Sequence, residues 1–238
     1  MNHDQVSPGQ HETATDYLTS RLSLAFPVLE KERNALDKVR PFKKAYVNYL
    51  LALHGTIRAS VPLMEAAQLS CRRQMPDPVL EILDTYLTEH IHEELGHDGW
   101  VLADLAALGV TNDVAVHQLP LPAVAKITGP MYYWINHVDP VAELGYIFCL
   151  ERYVTTSTLI DRWQRLGNLP EDCLTCLRRH AELDGEHSDD VCDLLNGLPL
   201  TDRQLRLLAV VAMGTATGMA RLFAELRQVS MSPSKLLA

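Results

Sequence analysis

Two stretches of the chain put histidines and carboxylates where a helix would place its core. The first can be walked as Leu83, Leu87, His90, Glu94, His97, Val101 and Leu105, and the second as Leu174, Leu177, His180, Asp184, His187, Val191 and Leu194. A third stripe, Leu144, Ile147, Glu151, Val154 and Thr158, holds one more acid among apolar neighbours. Steps of three and four residues keep such side chains on one helix face. An uncompensated buried carboxylate costs several kcal/mol and would normally take up a proton instead. No surplus of Lys or Arg shares these stripes, so the acids Glu94, Glu151 and Asp184 call for another source of positive charge, and a metal supplies it. Imidazole mixed with carboxylate suits iron or manganese better than calcium, which takes oxygen ligands. Six protein ligands spread over two ions leave coordination positions open, as a catalytic site requires and a closed structural site does not.

The signals differ in specificity. A lone core histidine is usually only hydrogen-bonded, and Glu94-x-x-His97 alone is common by chance. His180-x-x-x-Asp184-x-x-His187 inside an apolar stripe is much less common, and its coincidence with a second polar cluster carries the metal reading. His90 shares the first stripe and is a further candidate ligand. Glu89, His92 and Glu93 point away from that stripe and read as solvated or as supports behind the ligands. Glu143 competes with Glu151, but it falls in the first turn after Asp139-Pro140, where the helix dipole favours an acid. The mid-helix Glu151 has no such explanation and is taken as the ligand.

The elements that must position these residues are helical. Apolar residues recur at helical spacing almost throughout, without convincing strand alternation. The pattern predicts helices at 14–38, 42–73, 78–108, 121–134, 140–166, 170–195 and 202–228, forming one all-α domain of seven helices over 13–230 between tails at 1–12 and 231–238. Asp77-Pro78 and Asp139-Pro140 each offer a cap followed by Pro at the first helical position. Thr201 with Gln204 makes a capping box, Gly109, Gly167 and Gly197 stand at expected helix stops, and Pro62 should kink the second helix. The formal charge of −9 comes with scattered Lys and Arg, which argues against a nucleic-acid partner. The polar, acidic N-terminus does not read as a secretory signal, and no run of apolar residues reads as a membrane span. Five cysteines without framework spacing fit reduced thiols in a cytoplasm. Cys173-x-x-Cys176 lies inside a helical pattern and reads as packing.

The segments HEELGHDGWVLADLAALG (92–109), GYIFCLE (145–151) and HAELDGEHSDD (180–190) make the chain resemble the haem-oxygenase-like diiron oxidases and oxygenases, also described as iron-containing redox enzymes. The similarity spans roughly residues 40–225. It implies a seven-helix fold like that of haem oxygenase, with two irons held by Glu94, His97, Glu151, His180, Asp184 and His187, and dioxygen as co-substrate. Some members place the first Glu seven residues before its His, and that place is His90 here. Known reactions of the family include amine N-oxygenation, oxidative carbon–carbon cleavage and desaturation, often in natural-product pathways. Ferritin-like diiron proteins would need a second Glu-x-x-His on a distant helix, and haem oxygenases a His on the first helix. The chain has neither.

The expectation is therefore an oxygen-activating non-haem diiron oxidoreductase that acts on a small molecule. Its substrate pocket would draw on the second, fourth and fifth helices, with His54, Tyr132, Tyr133, Trp134, Arg152 and Tyr153 as lining candidates, and Arg152 able to hold a carboxylate. Two other classes are a non-catalytic iron carrier on the same fold and a metal-free, thiaminase-like enzyme using Cys149 or Cys192. No nucleic acid or membrane is expected as a partner. A homodimer and an external electron donor both remain compatible with the chain.

Overall fold

The computed structural model describes residues 12–153 and 155–232, and the side chains of 184–186 fall outside the description. Asp184, one of the six expected ligands, is therefore outside the described side chains, as are Val154 and residues 1–11 and 233–238 of the tails. Ten helices follow in order: α1 (Ala14–Leu36), α2 (Phe42–Gln74), α3 (Pro78–Glu94), α4 (His97–Ala107), α5 (Asn112–His117), α6 (Pro122–His137), α7 (Ala142–Arg152), α8 (Ser157–Gly167), α9 (Thr175–Gly197) and α10 (Asp202–Met231). A 3-10 turn, Glu171–Cys173, precedes α9, and the described residues contain no strand.

The all-helical reading holds, but the number of helices does not. The segment expected as one helix over 78–108 breaks at Gly96, whose φ of 93° is left-handed. The segment over 140–166 breaks after Arg152, and α8 restarts under the Thr156 cap. Helix α5 adds a short piece capped by Thr111. Periodicity missed both breaks because the apolar stripe continues across them, and an isolated Gly lowers helix stability by only about 1 kcal/mol relative to Ala.

Local chemistry explains the remaining starts. The Asp77 carboxylate accepts from the Val79 and Leu80 N–H groups at 2.9 and 3.1 Å, and Thr201 and Gln204 form the expected box. Asp139 accepts from the Val141 N–H at 3.1 Å, although α7 begins only at Ala142. Helix α9 lacks a side-chain cap of its own. Asp104 of α4, fully buried, supplies one from across the bundle by accepting from the Thr175 and Cys176 N–H groups at 3.1 and 2.9 Å. The Tyr46 hydroxyl donates to the Cys173 carbonyl at 2.9 Å, tying the same point to α2. Cys173 and Cys176 are buried free thiols, as the packing reading of that motif expects.

Helix α10 runs against α1, α7 and α6, while α2 packs on α3, α6 and α4, and α9 lies on α7 and α4. Among the described helices only α10 is long and apolar enough to cross a membrane. It is largely buried against those neighbours, which is the behaviour of a core helix. The contact between α7 and α10 is close because of Gly145. A Cβ built there would stand 2.7 Å from the Leu208 carbonyl oxygen.

Gly145→Ala is therefore expected to push α7 off α10 and destabilise the protein by about 1–3 kcal/mol, the usual range for overpacking. Gly129→Ala is the control, since an added Cβ there meets nothing within 4 Å. Urea unfolding of the two variants checks this. Equal stabilities would show that the contact yields freely.

Candidate metal centre

Four helices bring their polar residues to one point in the interior. Glu94 is the last residue of α3 and His97 the first of α4. The break at Gly96 folds them together, with His97 Nδ1 3.2 Å from Glu94 Oε2. Helix α7 supplies Glu151 one residue before its end. Helix α9 supplies His180 and His187 from two successive turns. His187 Nδ1 lies 3.9 Å from Glu94 Oε1 and 3.8 Å from Glu151 Oε2. The rings of His97 and His180 meet edge to face at 5.1 Å between centroids, and those of His90 and His187 do so at 5.4 Å.

The ligand atoms fall into two groups, each within 4.8 Å of one another: Glu94, His97 and His180 in one, His90, Glu94 and Glu151 in the other. Glu94 belongs to both. The structure thus brings together every described residue of the expected ligand set. His90, the additional candidate, joins the second group, and His187 stands beside both acids. Glu93, although half-exposed, sits behind the cluster, 3.3 Å from His90 Nδ1 and 3.8 Å from His187 Nε2.

Electrostatics favour a cation here. Burial alone would raise the Glu94 carboxyl, but His97 beside it, with His180 and His90 close by, holds it below the ordinary glutamate value. Burial pushes His90 and His180 down, toward the neutral imidazole that a metal needs. His180 Nδ1 lies 2.9 Å from the Cys176 carbonyl. As donor to that oxygen it leaves Nε2 free for coordination, the arrangement by which a hydrogen bond behind a ligating His fixes its tautomer. His97 Nδ1 is buried and faces Glu94 Oε2 at 3.2 Å. A mixed set of imidazole nitrogens and carboxylate oxygens fits a first-row metal such as iron.

The cluster opens onto an apolar cavity of about 180 Å³. Its walls include Tyr49, Leu53, Ile57, Ile127, Met219 and Phe223, with His90, Glu94, Glu151 and His180 also lining it. Of the lining residues expected from sequence, Tyr153 is there. His54 and Tyr132 face a separate groove between α2, α5 and α6, because the α2 face that lines the cavity runs through Leu53, Ile57 and Ser60, one step round the helix. Tyr133 is 58% exposed and meets Trp134 edge to face, and Trp134 also stays outside the cavity. Helix α6 turns Ile127, Met131 and Ile135 inward instead. Arg152 is exposed and donates to Ser188 Oγ at 3.4 Å.

Two polar residues have surroundings that the sequence did not reveal. Asp104 holds the start of α9, although burial raises its carboxyl despite the two N–H donors. Glu143 stands in the first turn of α7, as expected. It is fully buried, neither of its oxygens has a hydrogen-bond partner, and it lines the cavity. Burial pushes its carboxyl up to about 8. The available signal was the stripe Glu143, Ile147, Glu151, which keeps both acids on one face of α7.

A family model described as iron-containing redox enzyme matches residues 36–219. The chain belongs to that family. Its fold is haem-oxygenase-like. A domain of unknown function with that fold from Shewanella denitrificans superposes with a TM-score of 0.77 at 17% identity, over 92% of this chain and 94% of that one. A CADD-like protein of unknown function from Nostoc punctiforme gives 0.68 at 20% identity, over 92% and 97%. A TenA homologue from Pseudomonas syringae pv. tomato gives 0.62 at 12% identity, over 92% and 97%. Identities this low speak for the fold alone. No curated protein matches the chain. Membership makes it an oxidoreductase in the broad sense, with iron as the metal the family suggests for the Glu and His groups.

The folded protein keeps Glu143 protonated up to about pH 8, whereas the unfolded chain ionises near the ordinary value of 4.5. The folded state then holds more protons in that window, so stability should fall as pH rises. Relative to Glu143→Gln, the wild-type protein is expected to lose up to about 1.4 kcal/mol per pH unit between pH 5 and 8. Urea unfolding of the metal-free proteins across that range checks it. A constant difference between the two would show that another group compensates the acid.

Proposed function

We propose that the protein is an oxygen-activating non-haem diiron oxidase or oxygenase acting on a small, largely apolar molecule. The observation that carries this reading is Glu94, shared between two groups of nitrogen and oxygen donors on the wall of an apolar cavity. Glu94, His97 and His180 would hold one ion, and Glu94, Glu151 and His90 a second. His187 stands near enough to either acid to complete the set. Ferrous iron held there would supply the electrons that reduce dioxygen.

The chain's own residues do the rest. Glu94 and Glu151 provide anionic charge that offsets the cations. The Cys176 carbonyl orients His180, and Asp104, by capping α9, fixes the helix from which His180 and His187 project. The apolar walls hold the substrate's carbon frame next to the ligand groups and exclude water from reactive species. An iron carrier has no use for such a cavity, which favours the catalytic reading. A thiaminase-like mechanism finds less support. Cys149 lies outside the cavity, and burial pushes its thiol up, away from the thiolate a nucleophile requires. Cys192 is also raised by burial.

Anaerobic titration with Fe(II) should give about two irons per chain, from two donor groups that share one acid. Glu94→Ala should abolish most binding at both positions, whereas Glu151→Ala should leave one iron per chain. Quantifying bound iron after desalting separates these outcomes. Saturation of the wild-type protein at one iron, or identical losses in the two variants, would overturn the dinuclear reading. Admitting oxygen to the loaded protein then distinguishes an enzyme, which consumes it faster in the presence of substrate, from a carrier.

A further inference from the structure

The cavity has a second polar point that the ligand groups do not use. Glu143 lies on α7 two turns before Glu151, roughly 12 Å away along the helix axis. It belongs to neither donor group. It is fully buried, and among the described residues no Lys or Arg forms an ion pair with it. Neither oxygen has a hydrogen-bond partner. Tyr146 and Ser60 line the cavity with it, and the Tyr146 phenol is raised by burial and then by Glu143. A carboxyl group held dry and unpartnered at a cavity wall is a binding group lacking its complement.

We infer that Glu143 anchors a cationic nitrogen, so that the cavity takes an amine whose apolar chain runs along α7 toward Glu94 and Glu151. An ammonium group would give the acid the charge and the hydrogen bonds it lacks. A charge-assisted pair in an apolar surrounding is stronger than one in water. A primary amine with a pKa of about 10.4 holds its proton more tightly than Glu143 does at about 8. Binding therefore releases the Glu143 proton to solvent, while the nitrogen keeps its own. The geometry also separates recognition from chemistry. With its nitrogen at Glu143, a chain of medium length offers the end remote from nitrogen to the iron ligands, so oxidation falls on carbon. Arg33 is the competing anchor. It lines the cavity with its guanidinium 5.3 Å from the Tyr153 ring centroid, and it would select a carboxylate instead.

This subsite rests on reading the cavity as a substrate site, but its test does not depend on turnover. Binding of octylamine, octanol and octanoate to the full chain is measured anaerobically by calorimetry, with and without Fe(II). Wild-type protein should bind octylamine about tenfold or more tighter than octanol, the range expected for a hydrogen-bonded charge. Glu143→Gln should bring the two within about threefold while keeping the octanol affinity. Glu143→Met, with no polar atom at that position, should do the same and serves if the Gln variant folds poorly. Octanoate or octanol binding as tightly as octylamine, or an amine preference that survives both substitutions, would overturn the assignment. Either result leaves the iron stoichiometry untouched, so failure of the subsite and failure of the diiron reading are told apart.

Discussion

A carboxylate in an apolar interior must find positive charge or accept a proton, and that constraint organises the inside of this bundle. Glu94 and Glu143 meet it in opposite ways. Glu94 sits among His97, His180 and His90, which hold it ionised against the pull of burial. Glu143 has burial as the only influence on its carboxyl and is held neutral to about pH 8. One interior therefore contains an acid held ionised by its neighbours and an acid held neutral by burial. The difference lies in which helix faces surround each group, since both glutamates are buried in the same bundle.

The ligand cluster is built at helix ends. Glu94 closes α3, His97 opens α4, and Glu151 is one residue from the end of α7. In an unbroken helix, residues three apart share a face but stay stacked along the axis. The left-handed turn at Gly96 frees them from that spacing and lets a carboxylate and an imidazole approach one point from two helices. Such a conformation costs a residue with a Cβ roughly 1–2 kcal/mol, so glycine is the natural occupant. Helix α9 solves the opposite problem. It must run unbroken through the cluster to present His180 and His187 one above the other, and its start needs an anchor. Asp104 provides that anchor with both carboxylate oxygens, which ties the placement of His180 to a residue on another helix.

The residues that carry the site were legible because burial of charge leaves a mark on periodicity. His90, Glu94 and His97 interrupt a leucine stripe, as do His180 and His187, and the structure brings these five together with Glu151. The break between Glu94 and His97 was not legible, because a glycine inside a periodic segment is tolerated as often as it ends a helix. Asp104 was hidden because its role is fixed by the packing of α4 on α9, and contacts across a bundle leave no trace in local sequence. The burial of Glu143 was hidden for a related reason. An acid in the first turn of a helix has an adequate local explanation in the dipole, and only the tertiary structure shows that this helix end is buried. The pocket candidates His54, Tyr132 and Arg152 failed because a rotation of about 100° per residue separates the cavity wall from the next groove. Periodicity cannot resolve a single step of that kind.

Helix α7 joins these observations. Its inner face, Glu143, Tyr146, Ile147, Leu150 and Glu151, lines the cavity from the neutral acid to the ligand cluster, following the spacing of a single helical stripe. Its outer contact, at Gly145, brings it hard against α10. The distance between the group that would recognise a substrate and the groups that would hold the metal is thus set by helix pitch, a rigid quantity. The position of both relative to the far wall is set by one close backbone approach. A cavity built on loops would let recognition and chemistry drift independently. Here the same two turns of backbone fix both, so the bond presented to the ligand cluster follows from chain length measured from Glu143. For the proposed amine, selectivity for position would then come from the helix itself, and the surrounding apolar walls would need only to fit the chain's width.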